Sequence, residues 1–178
     1  SSGIDFETKL FYKPDAARLL EIELAKPSYS CKPIAIGTNT DPYQPIEREY
    51  RVMRGVLEVL ARYKHPVTIV TKGSLIERDA DVLGQMAAEQ LASVAISVTT
   101  LKASLKRTLE PRAASPQARL RVIRALSEAG VHVTVLVAPV IPLLTDSELE
   151  QILETVAEAG AKAAGYVLLR LPHEVDGS

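Results

Sequence analysis

Ser115-Pro116-Gln117-Ala118-Arg119-Leu120-Arg121-Val122-Ile123-Arg124-Ala125-Leu126-Ser127-Glu128-Ala129-Gly130, then Val131 and His132-Val133-Thr134-Val135-Leu136-Val137-Ala138, holds the pattern on which the fold turns. The first part reads as a helix. Proline stands at its opening and glycine at its close, and Leu120, Ile123 and Leu126 lie at helical spacing along one side. The second part is a strand, and its nearly unbroken apolar character suits a strand covered on both faces, as in a parallel sheet.

The same alternation extends in both directions. Strands are predicted at Pro33–Thr38, Val67–Lys72, Ser93–Thr99, His132–Ala138 and Gly165–Arg170. Between and before them, amphipathic helices are marked by Ala16, Leu19, Leu20 and Leu24, by Val52, Val56, Val59 and Leu60, and by Leu83, Met86, Ala87 and Leu91. A last helix carries Leu149, Ile152, Leu153, Val156 and Ala157, with Ser147 as N-cap behind Asp146 and Gly160 as its stop. The order is helix, four strand-helix pairs and a closing strand. That is an α/β chain of βα units around a parallel sheet, in one domain from residue 3 to 174. Ser1-Ser2 and Asp176-Gly177-Ser178 are given no part in it. An eight-unit barrel takes about 250 residues, or about 30 per unit, so the chain is too short for full closure. An open doubly wound sheet and a partial barrel both remain, and periodicity does not separate them.

Composition narrows the function classes. The chain has 178 residues, 47% hydrophobic and 24% charged, enough for one globular core. Its net charge of -1 gives no support to a nucleic-acid partner, although such a partner stays possible for a larger parent protein. The longest apolar run, Val131 to Leu144, is interrupted by Thr134, Pro139 and Pro142 and falls short of the roughly 20 residues of a membrane span. Ser1-Ser2-Gly3, followed by Asp5 and Glu7, lacks the basic-then-apolar order of a secretory leader, so a cytoplasmic location and no membrane partner are expected. Cys31 is the single cysteine, which excludes a zinc or iron–sulfur site built from this chain's thiolates alone. His65, His132 and His173 show no metal-ligand spacing, and no metal ligands are assigned. Nucleotide-binding glycine loops and the hydrolase elbow are absent from the sequence.

Ligands of parallel βα folds gather beyond the C-terminal ends of the strands. Those ends carry Gly37-Thr38-Asn39-Thr40-Asp41-Pro42-Tyr43-Gln44-Pro45, Thr71-Lys72-Gly73-Ser74, Ser97-Val98-Thr99-Thr100 and Ala138-Pro139-Val140-Ile141-Pro142. A zwitterionic small molecule suits them: Lys72 offers an ammonium to a carboxylate, Thr40 and Ser97 offer hydroxyls, and Asp41 offers an acceptor for an amine. Each residue also has a structural reading. Thr-Asn-Thr-Asp before proline is an ordinary turn with Asx hydrogen bonds, Lys72 a solvated charge at a strand end, and Ser97 a satisfied core hydroxyl. Lys102, Lys106, Arg107, Arg112, Arg119, Arg121 and Arg124 form a basic stretch, read as a solvated helix face rather than a phosphate site.

Asp5-Phe6-Glu7-Thr8-Lys9-Leu10, Gly37 to Glu47, Val70-Thr71-Lys72-Gly73, Ser97-Val98-Thr99-Thr100 and Leu109-Glu110-Pro111-Arg112 together resemble the radical S-adenosylmethionine proteins related to spore photoproduct lyase. The resemblance runs from Gly3 to about Glu174 and implies a partial TIM-type barrel, of which this chain supplies five strands of six. It implies S-adenosylmethionine and a [4Fe–4S] cluster as cofactors of an intact parent protein, the cluster held by a Cys-x-x-x-Cys-x-x-Cys loop. That loop does not occur in this sequence. The expectation is therefore a fragment shortened on its N-terminal side, inactive by itself and holding neither cofactor tightly.

By the same resemblance, Thr40, Asp41, Lys72 and Ser97 are the cofactor-binding residues, and Glu110 and Arg112 stand on the substrate side. Thr38 stands where the lyase carries its hydrogen-donating cysteine, and a threonine O–H bond is too strong for that role. The competing reading is a non-catalytic folding or self-association module. In either case loss of a first strand leaves Ile34-Ala35-Ile36 with an open edge, so a homo-oligomer is expected, most simply a two-fold dimer through that edge or the barrel mouth.

Overall fold

The computed structural model describes residues 14–140 and 148–168. Among them the order is α1 (Ala16–Leu24), β1 (Ile34–Ile36), α2 (Glu47–Tyr50), α3 (Val52–Arg62), β2 (Val67–Thr71), a 3₁₀ turn (Leu75–Asp79), α4 (Ala80–Ala88), β3 (Ala92–Ser97), α5 (Ala103–Leu109), α6 (Pro116–Glu128), β4 (His132–Val140), α7 (Leu149–Ala159) and β5 (Ala163–Leu168). The five strands form one sheet in the order β1-β2-β3-β4-β5, and every pair is parallel.

That order decides between the two architectures. A doubly wound sheet reverses its strand order partway, whereas right-handed crossovers between successive neighbours place every connecting helix on the same face. The burial pattern agrees. Ile36, Ile69, Val94 and Val133 lie side by side in the register and are buried. Leu57 and Leu60 of α3, Leu83 of α4, Ile123 and Leu126 of α6 and Ile152 of α7 belong to the same core. Burying each such side chain contributes about 1.5–3 kcal/mol. The opposite face carries Ala35, Thr68, Ser93 and Thr134, smaller and less buried, with the Thr68 and Ser93 hydroxyls 3.0 Å apart. An all-parallel sheet in sequential strand order with its connecting helices on one face is the arrangement of a partial barrel.

The strands depart from their predicted limits for local reasons. β1 contracts to three residues because Pro33 has no N–H to pair and Gly37 turns the chain at φ 96°. β3 starts one residue earlier and ends at Ser97, while β4 runs on to Val140 across an irregularity in its register with β5. β5 begins at Ala163, two residues earlier than expected. Two helices went unpredicted: α2 is a single turn, and α5 has no buried residue and hence no apolar stripe to reveal it. α6 opens at Pro116 as expected, and Ser115 caps it, accepting from the Ala118 N–H at 3.1 Å. Asp146, Ser147 and His173 lie outside the described residues. α7 instead has Glu148 at its N-cap position, and the Glu148 carboxylate accepts from Thr100 Oγ1 at 2.6 Å.

α3 and α4 are joined by a charged fork. Arg54 donates to both oxygens of Asp81, at 2.6 and 2.9 Å, and to Glu58 at 3.0 Å. The Arg54 hydrogen bonds hold the Asp81 carboxyl down at about 2. An unfolded aspartate titrates near 3.9, so the stabilisation is present above about pH 4 and is lost as pH falls toward about 2. Asp81 is 61% exposed on its side chain, and solvent screening keeps the contribution small. In an NMR titration, the Asp81 carboxyl carbon should show a midpoint near 2 in the native chain and near 4 in Arg54→Ala. Equal midpoints in the two proteins would contradict this assignment.

Candidate functional site

The turns after β1 and β2 and the connection between α5 and α6 line an open cavity of about 960 Å³ at the C-terminal rim of the sheet, while the Ser97 to Thr100 turn after β3 takes no part in its lining. Asn39 to Asp41 and Tyr43 to Pro45 form one wall, Lys72 and Gly73 the next, and Leu109 to Ala114 the third. Its size lies within the range of small-molecule and cofactor sites. Of the predicted site residues, Thr40, Asp41, Lys72, Glu110 and Arg112 line it. Ser97 does not: it ends β3, half-buried, outside the lining set.

Asp41 is fully engaged by the protein. Its Oδ1 accepts from the Tyr43 N–H at 2.9 Å and from Thr71 Oγ1 at 2.7 Å, and its Oδ2 accepts from the Lys72 N–H at 2.9 Å. The bond to Tyr43 is the Asx turn that the Thr-Asn-Thr-Asp-Pro stretch foretells. Thr71 Oγ1 in turn accepts from the Gly73 N–H at 3.0 Å. One carboxylate thereby ties the loop after β1 to the end of β2.

The same loop is fastened again from below. The Tyr43 hydroxyl donates to Asp79 Oδ2 at 2.8 Å, and Asp79 is completely buried. Burial, followed by the negative charge of Asp79, pushes the Tyr43 phenol well above its ordinary pKa, so it remains a donor. Arg78 bonds Glu47 Oε2 at 2.7 Å, and the same Glu47 oxygen accepts the Met53 N–H at 3.1 Å. Sequence patterns do not show the Tyr43–Asp79 and Arg78–Glu47 pairs, because each links residues more than thirty positions apart.

The third wall rests on an arginine that charge patterning assigned to solvent. Arg119 is 2% exposed. It pairs with Glu110, donates to the Ser97 carbonyl at 2.6 Å and to the Ala114 carbonyl at 3.1 Å. Arg119, Val122, Ile123 and Leu126 follow the i, i+3, i+4, i+7 spacing of a buried helix face, and that spacing was the signal that could have found it. The solvated reading does hold for Arg107, Arg121 and Arg124, which are exposed.

The charges around the cavity are therefore unequal in their freedom. Both acidic residues in the lining, Asp41 and Glu110, are occupied by protein donors. Lys72 and Arg112 are exposed and, among the described residues, have no ion-pair partner. The free electrostatic valence of the site is positive, which suits a carboxylate or another anion.

A [4Fe–4S] cluster does not fit the residues present. Cys31 is exposed and precedes β1, at the opposite end of the sheet from the cavity. Among the described residues there is no group of three His, Cys, Asp or Glu side chains able to hold a metal ion. Nor is any described helix long and apolar enough to cross a membrane.

Comparison with known proteins agrees with this geometry. The family model described as the radical SAM superfamily matches residues 6–156. An uncharacterized protein of Mycobacterium tuberculosis is 42% identical over 161 residues, covering 89% of this chain and 47% of that protein. An uncharacterized protein of Acidianus two-tailed virus is 32% identical over 134 residues, covering 72% of this chain and 43% of its own. The chain thus spans about half the length of the mycobacterial relative. Among solved structures, a spore photoproduct lyase variant with bound AdoMet and dinucleoside spore photoproduct has a TM-score of 0.66 at 14% identity, over 89% of this chain and 47% of that one. SuiB of Streptococcus suis bound to S-adenosylmethionine gives 0.62 at 15% identity, over 91% of this chain and 35% of that one. With its sequential parallel sheet and polar rim, this chain belongs to the radical SAM superfamily.

Proposed function

We propose that this chain is the cofactor-side body of a radical S-adenosylmethionine enzyme related to spore photoproduct lyase, and that its rim cavity receives the carboxylate of S-adenosylmethionine. The observation that carries the reading is the pairing pattern: the acids of the cavity are bonded by the protein, while Lys72 has no ion pair among the described residues. Lys72 supplies the ammonium and Thr40 a hydroxyl, with Ser97 at the neighbouring strand end; Arg112, on the far wall, faces an anionic group of the substrate. Glu110 acts there indirectly, by holding Arg119. Bound S-adenosylmethionine would supply the sulfonium from which the superfamily generates its radical.

The chain by itself does not carry out that chemistry in this proposal, because one cysteine cannot replace a three-thiolate loop. The cluster ligands then belong to polypeptide outside these 178 residues. Two-fold association through the β1 edge belongs to the same proposal, and a monomer in light scattering at high concentration would remove that part. The cofactor reading is tested by titrating S-adenosylmethionine into the chain and into Lys72→Ala. Loss of a charged hydrogen bond costs about 1.5–3 kcal/mol, so affinity should fall at least about tenfold. Equal binding by both proteins, or none by either, would refute it.

A further inference from the structure

The cavity contains an aspartate that no ligand needs to touch. Asp41 collects three protein donors on its two oxygens, and one of them is the backbone N–H of Lys72 itself. That bond joins two loops across the mouth of the sheet, and it fixes the stem of the cation rather than its charged tip. Other contacts hold the surroundings in place. Thr71 is bonded to both Asp41 and the Gly73 N–H, while a Cβ at Gly73 would sit 2.9 Å from the Tyr43 carbonyl. Lys72 thus leaves a tightly determined stretch of backbone with a side chain free of described ion pairs.

We infer that Asp41 is a positioning residue for Lys72: its carboxylate sets where the ammonium enters the cavity and makes no contact with the ligand. This rests on the proposal that Lys72 binds the S-adenosylmethionine carboxylate. A charge-assisted N–H···O⁻ bond is well suited to the task, because it is short, directional and already made before the ligand arrives. An asparagine in the same place keeps the shape but puts an NH₂ where one oxygen stood. Facing donors on both sides, it must leave at least one of them unmet.

The test is a double-mutant cycle read by calorimetric titration of S-adenosylmethionine, using the native chain, Asp41→Asn, Lys72→Ala and the double variant. Asp41→Asn should weaken binding about two- to tenfold, the cost of ordering one long side chain that is no longer held in place before the ligand arrives. The double variant should bind no more weakly than Lys72→Ala, since Asp41 acts through Lys72. A merely structural role lowers the melting temperature without depending on residue 72, so the coupling separates the two. Should Asp41→Asn melt below the titration temperature, Asp41→Ser retains a turn acceptor for Tyr43 without reaching Lys72, and the same coupling is expected. Independent, additive losses, or undiminished binding by the Asp41 variant, would overturn the inference while leaving the cofactor reading intact. No binding by the native chain would overturn both.

Discussion

Arg119→Met is expected to destabilise the fold by about 3–5 kcal/mol, the range observed when one member of a buried ion pair is removed. Three acceptors lose their donor together: the Glu110 carboxylate and the carbonyls of Ser97 and Ala114. Methionine roughly fills the volume, so the loss is electrostatic rather than a cavity effect. Urea unfolding measures it, and a change of less than about 1 kcal/mol would show that solvent reaches Glu110 in the folded state. Adding Glu110→Leu should recover part of the loss, because the pair is costly mainly when half of it remains. The Leu109 to Ala114 wall should loosen in the single variant, and Arg112 with it.

The second large effect is at the turn that ends β1. Gly37→Ala is expected to cost about 3 kcal/mol, the sum of a backbone held at positive φ and an overpacked contact. A Cβ at Gly37 would lie 2.0 Å from the Val70 carbonyl oxygen, which is backbone and cannot swing aside. Gly130 provides the control, with φ 87° and no atom within 4 Å of a Cβ. Gly130→Ala carries only the conformational penalty, about 1 kcal/mol. Equal unfolding free energies for the two variants would show that β1 moves away from β2 at little cost. Since Gly37 begins the wall that carries Thr40 and Asp41, the variant should also lose ligand affinity at temperatures where it remains folded.

Most of the architecture was legible because parallel strands announce themselves. Val67-Thr68-Ile69-Val70 and Val133-Thr134-Val135-Leu136-Val137 are short, β-branched apolar runs, the length and composition of strands, and Pro116 and Gly130 bound α6. What periodicity could not supply was the strand order, which separates a barrel from a doubly wound sheet; resemblance supplied it, and the register confirms it. At the site, the turns after β1 and β2 were legible as strand-end turns, whereas the Leu109 to Arg112 wall was marked only by the family resemblance and the turn after β3 does not line the cavity. The occupancy of their side chains was not, for a physical reason. Whether Asp41 awaits an amine or holds a loop depends on where the N–H of Lys72 lies, and whether Arg119 is solvated depends on Glu110 and the Ser97 carbonyl across the helix–sheet interface. Charges count alike in a sequence until their partners are known.

The all-parallel sheet also governs how this chain reaches its folded state. No described strand pairs with its neighbour through a hairpin; each waits for an intervening segment to close a loop, from Ile34 to Val67, Val67 to Ala92, Ser93 to His132 and Thr134 to Ala163. Such non-local closure is entropically slow, so helices form while the valine- and isoleucine-rich strands are still unpaired. During synthesis the apolar segments at Val67 to Val70 and Val133 to Val137 are consequently open to a chaperone, or to a second unfolded chain, until their neighbouring strands arrive.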